Sequence, residues 1–233
     1  MVSKKAIIFD CDGTLVDSEE AHFAAWNFAL QKQEVPTLPF EEYVVYVGGA
    51  VDKTAKLLSI KNQRLCPQML IKDKNEYFIF LRQRGLAEIS STIAFIRQLA
   101  SKKEALGLKL AIASAAHREE VLFHVKKLGI ESAFDLILSG VDDLTCYSDP
   151  EGVNKPKPYI YLEAAKRLSC LPSQCVVVED SCHGIRAGVD AGCTVIAVPN
   201  KYTSQQDLSS AHLRIKSFDE VSIDKWPFCG FNS

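Results

Sequence analysis

Four short segments of this chain carry residues able to do chemistry: Asp10-Cys11-Asp12-Gly13-Thr14, Ser114-Ala115, Lys155-Pro156-Lys157-Pro158 and Glu179-Asp180-Ser181. Asp10, Asp12, Glu179 and Asp180 would repel one another if gathered bare. A hard divalent cation relieves that repulsion, and a donor set made of oxygens suits Mg²⁺. One carboxylate of such a site can act as a nucleophile toward phosphorus. Lys155 and Ser114, with the backbone N–H of Ala115, can hold phosphoryl oxygens. Positioning and charge neutralisation supply most of the catalysis in phosphoryl transfer.

These segments can act together only if the fold gathers them. Lys5 to Phe9 is a short apolar run that reads as a buried strand ending at Asp10. Ser18 to Gln33 has apolar residues at helical spacing, with Ser18 placed to start a helix. Pro36 and Pro39 break the chain, and Phe40 to Gly49 has no clear period. Helices are expected over Val51 to Ile60 and Cys66 to Arg84, the second ended by Gly85.

The pattern then alternates. Helix Glu88 to Leu106 leads to strand Leu108 to Ala113, and helix His117 to Leu128 to strand Leu136 to Leu138. Helix Pro158 to Leu168 leads to strand Cys175 to Val178, and helix His183 to Ala191 to strand Thr194 to Val198. Ala211 to Ile215 reads as a last strand. Apolar strands alternating with helices predict an α/β fold: a Rossmann-like parallel sheet with helices on both faces. The long helical stretch after the first strand predicts an inserted helical-bundle cap. The expected division is a core of 1–16 and 87–233 and a cap of 17–86. In such a sheet, ligands bind at the carboxyl ends of the strands. The chemical segments fall at those ends or in the loops that follow them.

The 233 residues are 47% hydrophobic and 24% charged, an ordinary globular balance that excludes disorder and fibrous folds. The charges, 27 basic against 29 acidic, lack the basic excess of a nucleic-acid partner. No apolar run approaches the roughly 20 residues that cross a bilayer. Met1 to Lys5 is basic, but Ala6 to Phe9 is too short for a signal-peptide core. The expectation is a cytoplasmic monomer whose partner is a small phosphorylated metabolite, with no nucleic acid and no membrane. Cys11, Cys66, Cys146, Cys170, Cys175, Cys182, Cys193 and Cys229 form no Cys-x-x-Cys pair, so they are expected as thiols and not as a zinc or redox motif.

Asp10-Cys11-Asp12-Gly13-Thr14-Leu15-Val16 resembles the D-x-D-G-T-[LV] signature of the haloacid dehalogenase superfamily. Ser114 sits where that family has its strand-two Ser/Thr. Lys155-Pro156-Lys157-Pro158 is similar to its K-P-x-P motif. Val178-Glu179-Asp180-Ser181, with Gly184-Ile185 and Ala191-Gly192, is similar to its E-D-S-x-x-G-I…A-G motif. The segments occur in the family's order and span the core. The insert after the first motif resembles the helical-cap subfamily of sugar-phosphate phosphatases and β-phosphoglucomutase.

The resemblance implies roles. Asp10 would form an aspartyl-phosphate, and Asp12 would protonate the leaving oxygen and then activate water. Mg²⁺ would be held by the Asp10 side chain, the Asp12 backbone carbonyl and Asp180, with Glu179 at or just behind it. The superfamily's dehalogenases lack the second acid of motif one, so Asp12 implies phosphoryl transfer. Ser114, Ala115, Lys155, His22 and His117 are the expected substrate contacts. For His22 a half-buried structural role stands beside a cleft-facing one, and His117 with Arg118 either reaches substrate or starts a helix.

Asp142 and Asp143 read as a turn, Lys157 as solvated, and Trp26 as cap core. The mutase has a lysine before a hinge glycine and an arginine after it. Val47 and Val51 stand there in this chain, with Lys53, Lys56, Lys72 and Lys74 as the cations that could compensate. The expected activity is therefore hydrolysis of a small phosphorylated metabolite, with a sugar phosphate as the expected substrate class. A β-phosphoglucomutase and a non-catalytic phosphate-metabolite sensor are the alternatives. Thr145 to Asn154 makes the loop before Lys155 longer than is usual for the family, either as a substrate-side lip or as a surface insertion.

Overall fold

The computed structural model describes residues 3–223, so Cys229 lies outside the described residues. The chain divides into two compact units, one formed by Asp17–Ala87 and the other by the remainder. In chain order the strands are β1 (Ala6–Phe9), β2 (Val16–Asp17), β3 (Ala87–Glu88), β4 (Lys109–Ser114), β5 (Leu136–Ser139), β6 (Cys175–Glu179), β7 (Thr194–Ala197) and β8 (Leu213–Arg214). The helices are α1 (Glu19–Lys32), α2 (Phe40–Tyr43), α3 (Val51–Lys61), α4 (Pro67–Arg84), α5 (Ser90–Lys102), α6 (Arg118–Lys127), α7 (Tyr159–Arg167) and α8 (Cys182–Asp190).

Six strands form one sheet in the order β5-β4-β1-β6-β7-β8, and every pair in it is parallel. Side chains alternate across a strand with a period of two. Ile7 and Phe9 of β1, Leu110 and Ile112 of β4, and Val176 and Val178 of β6 share one face with Ile93, Ile96 and Leu99 of α5 and Val121 and Val125 of α6. Ala6 and Ile8, Ala111 and Ala113, and Cys175 and Val177 share the other face with Ile160 and Tyr161 of α7 and Ile185 and Ala187 of α8. Both faces of the central strands are thus apolar, which is why they read as continuous hydrophobic runs and pair in parallel.

β1 lies in the middle of the sheet, and the chain builds outward from it first on one side and then on the other. That is the topological switch point at which doubly wound sheets open a crevice for ligands. The register sets Phe9 level with Ile112 and with Val178. The residue after Phe9 is Asp10, whose N–H donates to Val178 O at 3.0 Å.

Most expected boundaries shift by one or two residues, and one shifts further. The helix expected over Glu88 to Leu106 ends at Lys102. Gly107 takes a positive φ of 61°, and the Leu108 N–H returns to Lys103 O at 2.8 Å, closing the helix in a glycine turn. The unassigned stretch after Pro39 forms the single turn α2 and a 3₁₀ turn over Val44–Tyr46.

The Asp17–Ala87 unit is helical. Trp26, Ala29 and Leu30 of α1 and Leu70 and Phe78 of α4 are buried in it. The Asn27 amide clips the loop at Leu38, accepting from its N–H at 2.7 Å and donating to its carbonyl at 3.2 Å. Lys32 pairs with Asp73 at 2.6 Å. The short strands β2 and β3 pair with each other where the chain passes between the units. No helix among the described residues is long and apolar enough to cross a membrane.

Candidate active site

Asp10 ends the central strand and is buried. Lys155, from the loop before α7, places its ammonium where the three middle strands end. Its Nζ donates to Asp10 Oδ1 at 2.5 Å, to Glu179 Oε1 at 2.7 Å and to Ala113 O at 3.0 Å. All three ammonium hydrogens are thereby used, on the residue that follows β1, on β6 and on β4 in turn. Two carboxylates and one cation leave this cluster net negative. Burial, the largest influence, pushes the Asp10 carboxyl up to about 8; Lys155 pulls it down, while Glu179 and Asp12 raise it further.

Glu179 is held from both ends. Oε1 accepts from Lys155 and from the Tyr161 hydroxyl, the latter at 2.7 Å. Oε2 accepts from the Ser181 hydroxyl at 3.2 Å and from the N–H groups of Asp180 and Ser181 at 3.2 and 3.4 Å. Ser181 also accepts from Gly184 N–H at 3.2 Å, capping α8. A Cβ on Gly184 would overlap the Glu179 carboxylate. Gly184→Ala is therefore expected to cost about 3 kcal/mol, the upper end for overpacking. That corresponds to a melting temperature lower by ~6–12 °C in a chain of this size. Calorimetry checks it, and a wild-type melting point would mean that Glu179 can move aside freely.

One oxygen from each of Asp10, Glu179 and Asp180 lies within 4.8 Å of the others, and all three residues are buried. This donor set fits a hard divalent cation.

Ser114, at the end of β4, is fully buried, and its Oγ accepts from Ala116 N–H at 3.1 Å. Ala115 lies between these two residues. His117 caps α6 and is exposed, with Nδ1 3.4 Å from Asp142 Oδ1. Arg118 opens that helix; its N–H donates to Asp142 Oδ2 at 2.7 Å, and its guanidinium binds Asp143 and the Ile137 carbonyl.

Asp142 and Asp143 thus do more than make a turn. The Arg118 N–H is foremost in holding the Asp142 carboxyl below the usual range. For Asp143 burial acts upward but is outweighed by the Ser139 N–H and the Arg118 and Arg167 guanidiniums, so its carboxyl also lies low. Lys157 is not a bare solvated lysine: its Nζ pairs with Glu151 at 2.7 Å and Asp149 at 3.4 Å, tying down the long loop that precedes Lys155.

Within the helical unit, the His22 ring stacks on Phe78 with centroids 4.0 Å apart. Trp26 is buried, as a core residue should be. Val47 is buried, and Val51 begins α3. Lys72 is exposed beside Glu76, and the Lys74 ammonium lies 4.7 Å from the Phe78 ring centre. The seven described cysteines are free thiols.

Sequence reasoning missed Tyr161 and Asn200. Asn200 Nδ2 donates to Asp180 Oδ2 at 2.8 Å and to Gly13 O at 3.3 Å. The signal was available for Asn200, since it lies in the loop after β7, on the carboxyl edge of the sheet that also carries Asp10. Tyr161 looks like one more apolar residue on the inner face of α7.

A doubly wound sheet with a lysine-held acidic edge at its switch point, and a helical unit inserted after its first strand, defines a class of α/β proteins that bind ligands at the carboxyl ends of their strands. Comparison with known proteins narrows the class. Residues 7–198 match the family described as haloacid dehalogenase-like hydrolase. Protein CbbY of Cereibacter sphaeroides is 30% identical over 225 residues, covering 93% of this chain and 94% of that protein. The phosphorylated carbohydrates phosphatase of Thermotoga maritima is 28% identical over 196 residues, covering 81% and 82%.

Among solved structures, a mutant CbbY from Rhodobacter sphaeroides in complex with xylulose-(1,5)-bisphosphate matches with a TM-score of 0.76 at 26% identity, over 94% of this chain and 96% of that one. β-Phosphoglucomutase from Clostridium difficile matches in fold with a TM-score of 0.73 at 22% identity, over 95% and 94%. This chain belongs to the haloacid dehalogenase-like hydrolases. It is an enzyme of that family, a phosphoric monoester hydrolase.

Proposed function

We propose that this chain is a Mg²⁺-dependent phosphatase of a small sugar phosphate, working through an aspartyl-phosphate on Asp10. The observation that carries the reading is the Lys155 ammonium bound at once to Asp10, Glu179 and Ala113 O, which orients the nucleophile at the switch point of the sheet.

An Asp10 oxygen attacks phosphorus. The ester P–O bond breaks, and the leaving alkoxide takes a proton from Asp12. A water molecule then gives a proton to Asp12 and attacks the same phosphorus, the bond to Asp10 breaks, and inorganic phosphate leaves. Ser114 and the N–H of Ala115 bind the phosphoryl oxygens, and Lys155 balances their charge. Asp10, Asp180 and the Asp12 carbonyl would hold the metal. With both its oxygens occupied by protein donors, Glu179 stands behind them. Bound Mg²⁺ neutralises charge on the phosphoryl group and the carboxylates. His22 and His117 are candidate substrate contacts.

A relative named for phosphorylated carbohydrates and a neighbour holding a sugar bisphosphate support the substrate class. Val47 and Val51 give no cation where a mutase would grip its second phosphate. Lys72 with Glu76, and Lys74 over the Phe78 ring, already have local partners.

Purified protein is expected to release inorganic phosphate from a panel of sugar monophosphates and bisphosphates with Mg²⁺, and to stop when EDTA is added. From β-glucose 1-phosphate with a catalytic amount of its bisphosphate, free phosphate should form faster than glucose 6-phosphate. Faster glucose 6-phosphate would make the chain a mutase. Binding of the panel without turnover would make it a sensor.

A further inference from the structure

Asn200 lies three residues past the end of β7, on the carboxyl edge of the sheet that carries Asp10 and Asp180. Its amide is held from behind. Oδ1 accepts from the N–H groups of Tyr202 and Thr203 at 2.8 and 3.2 Å and from the Thr203 hydroxyl at 3.3 Å. That hydroxyl also accepts from Asn200 N–H at 3.1 Å, and Thr203 is fully buried.

The groups in front of the amide, Asp180 Oδ2 and Gly13 O, can only accept. The amide therefore has one possible orientation, because a flip would set its oxygen against a carboxylate and its NH₂ against two backbone N–H groups. A Cβ on Gly13 would run into Asp180 Oδ2 and come within 2.9 Å of Asn200 Nδ2, and Gly13 has a φ of +77°. The pair is thus packed against the backbone of the first loop. Asn200 ties together the loops that follow β1, β6 and β7.

The chemistry of the tie matters. Lys155 brings a full positive charge to Asp10, whereas Asn200 gives Asp180 a hydrogen bond and no charge. A neutral donor fixes one carboxylate oxygen and leaves the group's negative charge in place for a cation.

We propose that Asn200 is the positioning residue for the metal-binding carboxylate Asp180, locking its rotamer so that the site is preorganised for a divalent cation. This rests on the reading of Asp180 as a metal ligand. Partners of this kind, one step behind the ligands, usually cost about 10–100-fold in metal affinity when removed.

The test is Mn²⁺ binding, read from the electron paramagnetic resonance signal of the free ion, for the wild type, Asn200→Ala and Asp180→Asn. Asn200→Ala should bind Mn²⁺ at least tenfold more weakly while remaining folded without metal, at a somewhat lower melting temperature because the Thr203 donors lose their acceptor. Its phosphatase activity should fall at low Mg²⁺ and largely recover at saturating Mg²⁺, a split that a general folding defect would not produce. If Asn200→Ala does not fold, Thr203→Val, which loosens the amide from behind, should shift Mn²⁺ binding in the same direction by a few-fold. Wild-type Mn²⁺ affinity in the folded variant would overturn the role of Asn200 alone. Absence of Mn²⁺ binding in the wild type, or unchanged binding in Asp180→Asn, would overturn the metal reading beneath it.

Discussion

Asp10→Asn is expected to lower phosphate release by roughly 10⁴-fold or more, about 5.4 kcal/mol of lost transition-state stabilisation, in a protein that remains folded. The amide has the shape of the carboxylate but is not a nucleophile, and it removes one negative charge from the proposed metal site. Its oxygen can still accept from Lys155 Nζ. The folded state should even gain when no metal is bound. Burial raises the Asp10 carboxyl to about 8, above its ordinary value near 3.8. A carboxyl raised in the folded state disfavours folding increasingly as pH climbs from its unfolded value toward its folded one. In EDTA at pH 8 the variant should melt no lower than the wild type, and higher if the native charge is costly. Phosphate release within tenfold of the wild type would end the covalent route through Asp10.

Lys155→Met should damage both stability and chemistry. The methionine keeps most of the length and removes the only cation bonded to Asp10 and Glu179 among the described residues. Removing one partner of a buried ion cluster costs about 3–5 kcal/mol, because the remaining charges are left uncompensated. At ~2–4 °C per kcal/mol for a chain of this size, the melting temperature should fall by about 10 °C. Any residual activity should move to higher pH. The ammonium is what pulls the Asp10 carboxyl down against burial, so without it the carboxyl keeps its proton to higher pH. Calorimetry and a pH–rate profile check the two parts. Unchanged melting together with an unshifted profile would reduce Lys155 to a bystander.

Much of the architecture was legible because its causes are local. The apolar runs at Ala6–Phe9, Lys109–Ser114 and Cys175–Glu179 are strands buried on both faces, and helices between them leave parallel pairing as the economical solution. The rule that ligands gather at strand ends then pointed to Asp10, Ser114 and Glu179 before any contact was known. Boundaries were less legible. Glu104, Ala105 and Leu106 are good helix formers, so α5 was expected to run to them, but the glycine turn at Gly107 captures the Lys103 carbonyl first.

The sequence by itself determined which residue types could meet at one edge of one sheet, because strand periodicity and chain order are properties of neighbouring residues. Only the tertiary structure decided what each group binds. Nothing local says that β1 lies between β4 and β6, and that placement is what lets one ammonium reach Asp10, Ala113 O and Glu179 together. Tyr161 shows no sign in its own helix of a carboxylate partner on β6. Lys157 looks solvated until the long loop folds Asp149 and Glu151 onto it. Asn200 becomes a partner of Asp180 only because β7 lies beside β6 and Thr203 turns the amide toward it. A hydrogen bond acts over about 3 Å in space and is indifferent to separation along the chain, so these partners were set by which strands became neighbours.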